Sequence, residues 1–555
     1  MSTFATDIAE WAWALKFSDI PERVIRKAKL QLYSVLAAMH ASHRHEIGQE
    51  VVDAVSAWAG DGPSTILPAG KKVDVLSAAY ANASLSAALD YDDYLLFGHT
   101  GHSAVCASLA MAEREGSSIE EMLTAQVIAN EIEGRLGATV VLGPHNGQGW
   151  SHIHLAGSAA AAAKLMGLSA EQTAHAIGIS LYQPTYVLWP GFMGPDSKAT
   201  TAATPTVTGI QAAILAGKGA TGPLDVIEHP QGYMARLSYA PSPHFLSGLG
   251  KAWTTDTLGY KVYPGCAYID TTVDALLEIM RLYSDETGKA LSPDDVDEIK
   301  VEATLLTVEM DHLSKTGGSF DPVNPVSINF SIPGNLAIVL LTGELNADNL
   351  SKKWLSEYGE QIEKFSRKVK LVHDFDMTMD FLSSMDEVLD IRKLLKQMKI
   401  QDLVRFRMKA KEQYGSSMGV TVPEVLDAVM GSPKMRSRAW KGITDSARGL
   451  FQQTGPAVSS GYDLGDRPLE NFTMPFSSRV TVTTRSGFST VYQQDIPIGG
   501  PGYPFDKTID SVLDKYRREA DSNLDKGKVH EFIENEENLE SKLTVEALAG
   551  LCSIS

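Results

Sequence analysis

Apolar residues in the first 260 positions recur mostly at helical spacing, and two-residue alternation is scarce there. In "SSIEEMLTAQVIANEIEGRLG", Ile119, Leu123, Val127, Ile128, Ile132 and Leu136 mark one buried stripe. Ser117 and Glu120 have the spacing of a capping box at its start. "IPERVIRKAKLQLYSVLAAMHA" predicts a helix beginning near Pro21, where a missing N–H costs nothing. "GSAAAAAKLMGL" is small and apolar on nearly all sides, the signature of a helix enclosed by others. After about residue 262 the texture changes. "VDEIKVEAT" and "RKVKLVHD" alternate like half-buried strands, and "RVTVTTRSGFSTVYQQ" reads as a hairpin turning at Ser486–Gly487. Helical runs such as "PGNLAIVLLTG" lie between them. Past the breaker-rich "PIGGPGYP" helical texture returns from Lys507.

The pattern predicts a mainly α protein: an all-helical domain built from both chain ends with an inserted α+β lid. The expected boundaries are 1–261, 262–498 and 499–555. Within the lid, 376–470 is atypical. Its run "SSMDEVLDIRKLLKQMKIQDLVRFRMKAKEQYG" reads as one amphipathic helix. Residues 391–450 carry thirteen Lys/Arg, Arg405 and Arg407 among them, against five acids. Such a stripe serves either as a docking surface or as a solvated face.

Composition narrows the function classes. At 555 residues the chain exceeds one compact core. A net charge of −19 argues against a nucleic-acid or anionic-membrane surface, though a local cationic pocket for an anionic substrate survives that argument. Cys106, Cys266 and Cys552 are too few and too scattered for a disulfide framework, which suits a reducing cytoplasm. The N-terminus has no basic leader region, and no uncharged apolar run approaches 20 residues, so neither a signal peptide nor a membrane span is expected.

Four segments concentrate chemistry. "LDYDDYLLFGHTGHSAV" places Asp90, Asp92, Asp93, His99 and His102 in one connection, where a carboxylate can orient an imidazole for proton transfer. "GWSHIHLAG" offers His152 and His154, which point the same way on a strand but not on a helix. With the aspartates they form a possible set of metal ligands, though no HEXXH pattern is present. "GPDSKATTAATP" sets Lys198 where a loop enters a helix, placed either to clamp a carboxylate or to lie on the surface. "GYKVYPGCAYID" carries Lys261 at the change of texture, and Cys266, a nucleophile or a packed thiol.

In this order, and with "EGRLG", "KATTAATPTVTGIQAAILAGKGATGP", "KVYPGCAYIDTTVDAL" and "NFSIPGNLAIVLLTG", these blocks resemble the MmgE/PrpD family over roughly 1–375 and 478–525. That family includes 2-methylcitrate dehydratase, cis-aconitate decarboxylase and iminodisuccinate epimerase. The resemblance implies a homodimer with a metal-free, cofactor-free site in the cleft between domains. By the same resemblance Asp90, His99, Lys198 and Lys261 fall on active-site positions, and Tyr94 stands where relatives carry Thr or Tyr. A second histidine belongs near the "GW" motif, with His152 as first choice and His154 in reserve; His102 and Cys266 are placed as substrate-binding residues. His99 is followed by Thr100 rather than Pro, and Tyr268, Ile269 and Asp270 stand where a histidine is usual, departures that bear on the substrate.

The expected activity is a lyase on a small di- or tricarboxylate passing through carbanion character, with dehydration first and decarboxylation or epimerisation as the alternative. Lys198 and Lys261 would neutralise the anion, His99 and His152 move protons, and Asp90 orient an imidazole or a substrate hydroxyl. From other classes, a metal-dependent hydrolase and a non-catalytic binding protein acting through the basic stripe remain as rivals.

Overall fold

A computed structural model describes residues 2–144, 149–313, 315, 321–414 and 461–554. α1 (Glu22–His43) starts directly after Pro21 and is buried along most of its length. α2 (Val75–Ala87), α3 (Gly101–Glu115), α4 (Ile119–Thr139), α5 (Ile153–Leu165) and α6 (Ala203–Gly217) follow. α5 is buried without a break from Ile153 to Ala163 and packs against α3, α4 and α6, as its all-round small residues require. The cap of α4 differs by one residue from the spacing argument. Ser118, not Ser117, closes the box with Glu121, which puts Ile119 at the first helical position and buries it.

Two three-residue strands, β1 (Asp93–Leu95) and β2 (Leu258–Tyr260), pair antiparallel with Tyr94 opposite Gly259. They tie the titratable connection to the segment carrying Lys261. Beyond them come α7 (Asp270–Thr287), β3 (Val296–Ala303), α8 (Ile332–Thr342), α9 (Lys352–Ser366), β4 (Val369–His373), α10 (Phe375–Leu389), β5 (Ser478–Thr484), β6 (Ser489–Gln494) and α11 (Phe505–Ala520). The sheet runs β4-β3-β5-β6, with β3 and β4 parallel and the other pairs antiparallel. Ile299, Val301, Val480 and Val482 form one apolar face, packed with Val273 of α7 and Ile338 of α8. The hairpin turns at Gly487, whose φ of +92° suits glycine.

α11 and the residues after it return to the helical part. Tyr33 of α1 donates to the Phe532 carbonyl at 2.6 Å and stacks on its ring at 4.4 Å. Tyr516 and Phe532 belong to the same apolar core as Leu36, Leu95 and Ile132. The protein is thus mainly α-helical, with helices from both chain ends in one core and a small sheet in a lid-like part.

The single amphipathic helix expected from Ser383 to Gly415 is instead three: α10, Ile391–Gln397 and Ile400–Tyr414. Asp390 breaks the first junction at φ +49°, a left-handed position that aspartate tolerates. In its described part Arg392, Arg405 and Arg407 are exposed; the remainder of the stripe, 415–460, lies outside the described residues. Among the described residues no helix is long and apolar enough to cross a membrane.

Candidate active site

The connection after α2 begins with a strained turn. Asp90 has φ +54°, unusual for a residue with a Cβ, and is 2% exposed. Its carbonyl accepts from Gly265 N at 3.1 Å and from Lys261 Nζ at 2.9 Å. Lys261 also contacts the Asp90 carboxylate, and Asp92 Oδ1 at 3.1 Å. Lys198 approaches from the short turn Asp196–Thr200 and pairs with Asp90 Oδ2 at 3.3 Å. Its ammonium lies 5.0 Å from the centre of the Phe330 ring and 5.8 Å from that of Phe192. Two lysines 63 positions apart in sequence therefore meet on one buried carboxylate.

The charges shape one another. Burial pushes the Asp90 carboxyl up, but Lys198, Lys261 and His99 overcome it and hold it below its ordinary range. Burial lowers Lys198, and the neighbouring Lys261 adds to the effect against Asp90. Burial also works against Lys261, but Asp90 and Asp92 outweigh it and raise the ammonium above its ordinary range. The two lysines thus differ: Lys261 is locked as a cation, whereas Lys198 is the more readily deprotonated.

Asp92 organises the imidazoles. His99 Nδ1 lies 2.9 Å and His102 Nε2 3.1 Å from the same oxygen, Asp92 Oδ2. A carboxylate only accepts, so both ring nitrogens donate. His102 Nδ1 meets Ser86 Oγ at 2.9 Å, so both its nitrogens are engaged by protein, and burial pushes its pKa to about 3. His99 keeps Nε2 for proton transfer. Burial raises Asp92, but His102, Lys261 and His99 bring it well below the usual range. Asp93, with no ammonium on it, is pushed up to about 7 by burial and by Asp92. The His99 loop is fixed by a close approach: a Cβ on Gly98 would lie 2.0 Å from the Trp150 indole, and one on Gly137 2.3 Å.

His152 and His154 straddle the start of α5 and diverge, as helical residues two apart must. His152 Nδ1 is hydrogen-bonded with the Tyr233 hydroxyl at 2.7 Å. The His154 ring centre is 6.1 Å from that of His102, and its Nδ1 is 2.6 Å from Ser103 Oγ. Ser103 in turn reaches Glu133 at 2.7 Å, and burial raises Glu133 well above the carboxylate range. Ser103 and Glu133 (3.3 Å) face the same nitrogen of His154, whereas a nucleophilic triad needs them on opposite nitrogens. Cys266 donates its N–H to the Asn329 carbonyl, and burial pushes its thiol up to about 12, so it is not a thiolate. Tyr94 packs on Phe476.

Two further groups were not among the site residues expected from the sequence. Lys515 of α11, fully buried, donates to the Tyr91 carbonyl at 2.5 Å and to Ser34 Oγ at 3.0 Å. It lies in a charged helical run with nothing to set it apart from surface lysines. Asp270, at the start of α7, is 1% exposed, and neither carboxyl oxygen has a hydrogen-bond partner among the described residues; burial, then Asp274, raises it well above its usual range. As for metals, the atoms of Asp92, His99 and His102 lie within 4.8 Å of one another, a set that excludes the His152–His154 pair named from sequence. Hydrogen bonds among these three already use the ligand atoms, and Lys261 occupies the other oxygen of Asp92.

Comparison with known proteins decides the family. The MmgE/PrpD N-terminal domain matches residues 6–246 and the C-terminal domain residues 263–403. The chain belongs to the MmgE/PrpD family. These are lyase-type enzymes of small carboxylates, and the match runs past residue 375, to 403. A protein named cis-aconitate decarboxylase from Aspergillus terreus strain NIH 2624 / FGSC A1156 is 23% identical over 410 residues, 69% of this chain and 81% of its own length. A second of that name from A. terreus is 23% identical over 65% of this chain and 76% of its length. The cis-aconitate decarboxylase-like protein oryM of Aspergillus oryzae is 25% identical over 50% and 62%.

Proposed function

We propose that this MmgE/PrpD protein is a decarboxylase of a small di- or tricarboxylate, with cis-aconitate the first substrate to test. The names of its relatives favour decarboxylation over the dehydration that the sequence blocks alone put first. The observation that carries the reading is the meeting of Lys198 and Lys261 on Asp90 in a site at most 2% exposed. Loss of CO₂ leaves the electron pair of the broken C–C bond on the substrate. Fixed cations in a desolvated site stabilise that anion far better than water does. Lys198, held by one ion pair at 3.3 Å and by the rings of Phe330 and Phe192, is placed to exchange Asp90 for a substrate carboxylate, while Lys261 keeps Asp90 in place. The carbanion then takes a proton. His99, steered by Asp92, is the donor this geometry favours, with His154 next along the same row of rings and His152 held by Tyr233.

The same reading makes the helical part (1–261 with 499–555) and the lid (262–498) separate domains in a homodimer that works without metal or cofactor. Incubating the protein with cis-aconitate in D₂O and following it by NMR tests the chemistry. Expected are CO₂ release and one deuterium on the product carbon, unchanged after exhaustive chelation. Water loss without carbon loss from 2-methylcitrate would return the reading to dehydration, and activity abolished by chelation would end the metal-free mechanism. Light scattering of the purified chain tests the dimer.

A further inference from the structure

Ser103 of α3, Glu133 of α4 and His154 of α5 close on one another where three helices meet, and each is at most 2% exposed. Ser103 Oγ lies 2.7 and 2.8 Å from the two Glu133 oxygens and 2.6 Å from His154 Nδ1. The longer contacts are 3.3 Å, from Glu133 Oε2 to the same nitrogen and from Ser103 Oγ to the Thr100 carbonyl. The seat fits the glutamate closely: Oε1 fills the room that Gly157 leaves, one turn past His154 on α5. Among the described residues no lysine or arginine pairs with Glu133.

These contacts place the protons. Burial raises the Glu133 carboxyl well above the carboxylate range, against the Ser103 contact, so the acid is neutral. Burial, then His99, lowers His154 to about 3, so its ring is neutral too. With Glu133 donating to Ser103 Oγ and Ser103 donating to His154 Nδ1, both short contacts are hydrogen bonds. In the reverse order Ser103 Oγ receives the imidazole proton, and the Glu133 proton is left without an acceptor in a dry interior, which folded proteins avoid. An imidazole that accepts at Nδ1 carries its own proton on Nε2. That nitrogen lies on the other edge of the ring from Ser103 and Glu133 and has no hydrogen-bond partner among the described residues. The ring itself stands 6.1 Å from His102, which lies 6.2 Å from His99, and the charges it senses are His99 and Asp92. Both nitrogens of His102 are taken by Ser86 and Asp92, so the unengaged edge beside His99 is that of His154.

We propose that Ser103 and Glu133 are positioning residues that fix His154 as an Nε2–H donor, and that His154 uses this N–H to hold a substrate carboxylate while proton transfer stays with His99. The proposal rests on the reading of Asp90, Lys198 and His99 as the reacting site and deepens it. A carboxylate held away from the breaking bond is bound equally in the ground and transition states, so its loss raises KM rather than lowering kcat.

The test uses the full chain and three readouts: turnover of cis-aconitate, calorimetric binding of tricarballylate, a saturated tricarboxylate that probes recognition without reaction, and ring ¹⁵N spectra of histidine-labelled protein. The His154 signals, assigned by their loss in His154→Phe, should show a protonated Nε2 and a bare Nδ1. His154→Phe should weaken tricarballylate binding and raise KM about tenfold with kcat within about twofold, the pattern of lost uniform binding. Glu133→Leu frees the Ser103 hydroxyl to turn to the Thr100 carbonyl, so it should shift the tautomer and raise KM in the same way. Glu133→Gln, whose amide N–H again donates to Ser103, should restore both, which a loss of packing alone would not predict. A proton on Nδ1 in the wild-type chain overturns the proposal, as does unchanged tricarballylate binding in His154→Phe or failure of Glu133→Gln to restore the tautomer; the wild-type spectrum reports even if a variant fails to fold. If the chain binds tricarballylate through His154 yet releases CO₂ from no acid, the lyase reading falls and the positioning role stands. If CO₂ is released and His154→Phe is silent, the reverse holds.

Discussion

Lys198 and Lys261 share a partner but not a role in stability. Lys261 is wholly buried and bridges the Asp90 carbonyl, the Asp90 carboxylate and Asp92. Lys261→Met would leave two carboxylates without that counter-charge, a change that typically costs about 3–5 kcal/mol. Lys198→Met removes one ion pair at 3.3 Å and two ring contacts but leaves Asp90 its Lys261 partner, so it should cost less stability while abolishing turnover. Denaturant melts beside CO₂ assays would show the contrast; equal melting losses would contradict it. Asp93 gives a pH test. Its folded pKa near 7 exceeds the ordinary 3.8, so the native form binds the extra proton between those values. The stability it contributes is complete below about pH 3.8 and lost as pH rises through 7. Asp93→Asn, which cannot ionise, should therefore gain stability relative to the parent at pH 8 and lose that advantage toward pH 4, measured by melts across this range. The grouping of Asp90, His99, Lys198 and Lys261 followed motif order, their roles remaining part of the proposed function. The burial of Lys515 and Asp270 was not legible, because burial leaves no local mark on a single lysine or aspartate.

Helices and strands followed the pattern where one periodicity ruled. The stripe of α4, the enclosed α5, the alternation of β3 and the Gly487 hairpin all lie where spacing placed them. The failures have physical causes. Two adjacent serines, each with a glutamate three residues on, gave two equivalent boxes, and burial of Ile119 chose between them. Residues 383–415 kept helical periodicity across Asp390, but the chain turns there at a left-handed position that periodicity does not register. The short β1–β2 pair was invisible because three residues carry too little pattern, although this pair brings Lys261 to Asp90. Close packing between elements supplies a prediction of its own. A Cβ on Gly157 of α5 would fall 1.9 Å from Glu133 Oε1 on α4. Gly157→Ala must displace the buried Glu133 side chain and should cost about 1–3 kcal/mol, with His154 and Ser103 disturbed. Ser118→Ala, which removes only a cap, should cost about 1 kcal/mol and leave turnover intact. Thermal melts with kinetics on both variants would separate strain at the site from simple loss of a helix end.

Across the whole molecule, the change of texture announced a sheet-bearing part set between two helical stretches. What composition could not convey is how strongly the last helices are committed to the first. Tyr33, Tyr516 and Phe532 form one aromatic contact, and Lys515 grips the turn that carries Asp90 and Asp92. Removing 505–555 should therefore abolish cooperative melting of the helical part, measured by circular dichroism, rather than trim a dispensable tail. Lys515 lies 424 positions beyond the Tyr91 carbonyl it binds. On the ribosome, then, the Asp90–Asp92 turn emerges long before the ammonium that anchors it. A nascent chain already holds Asp90, His99, Lys198 and Lys261, yet their turn stays without its Lys515 anchor until nearly all of the chain has been translated.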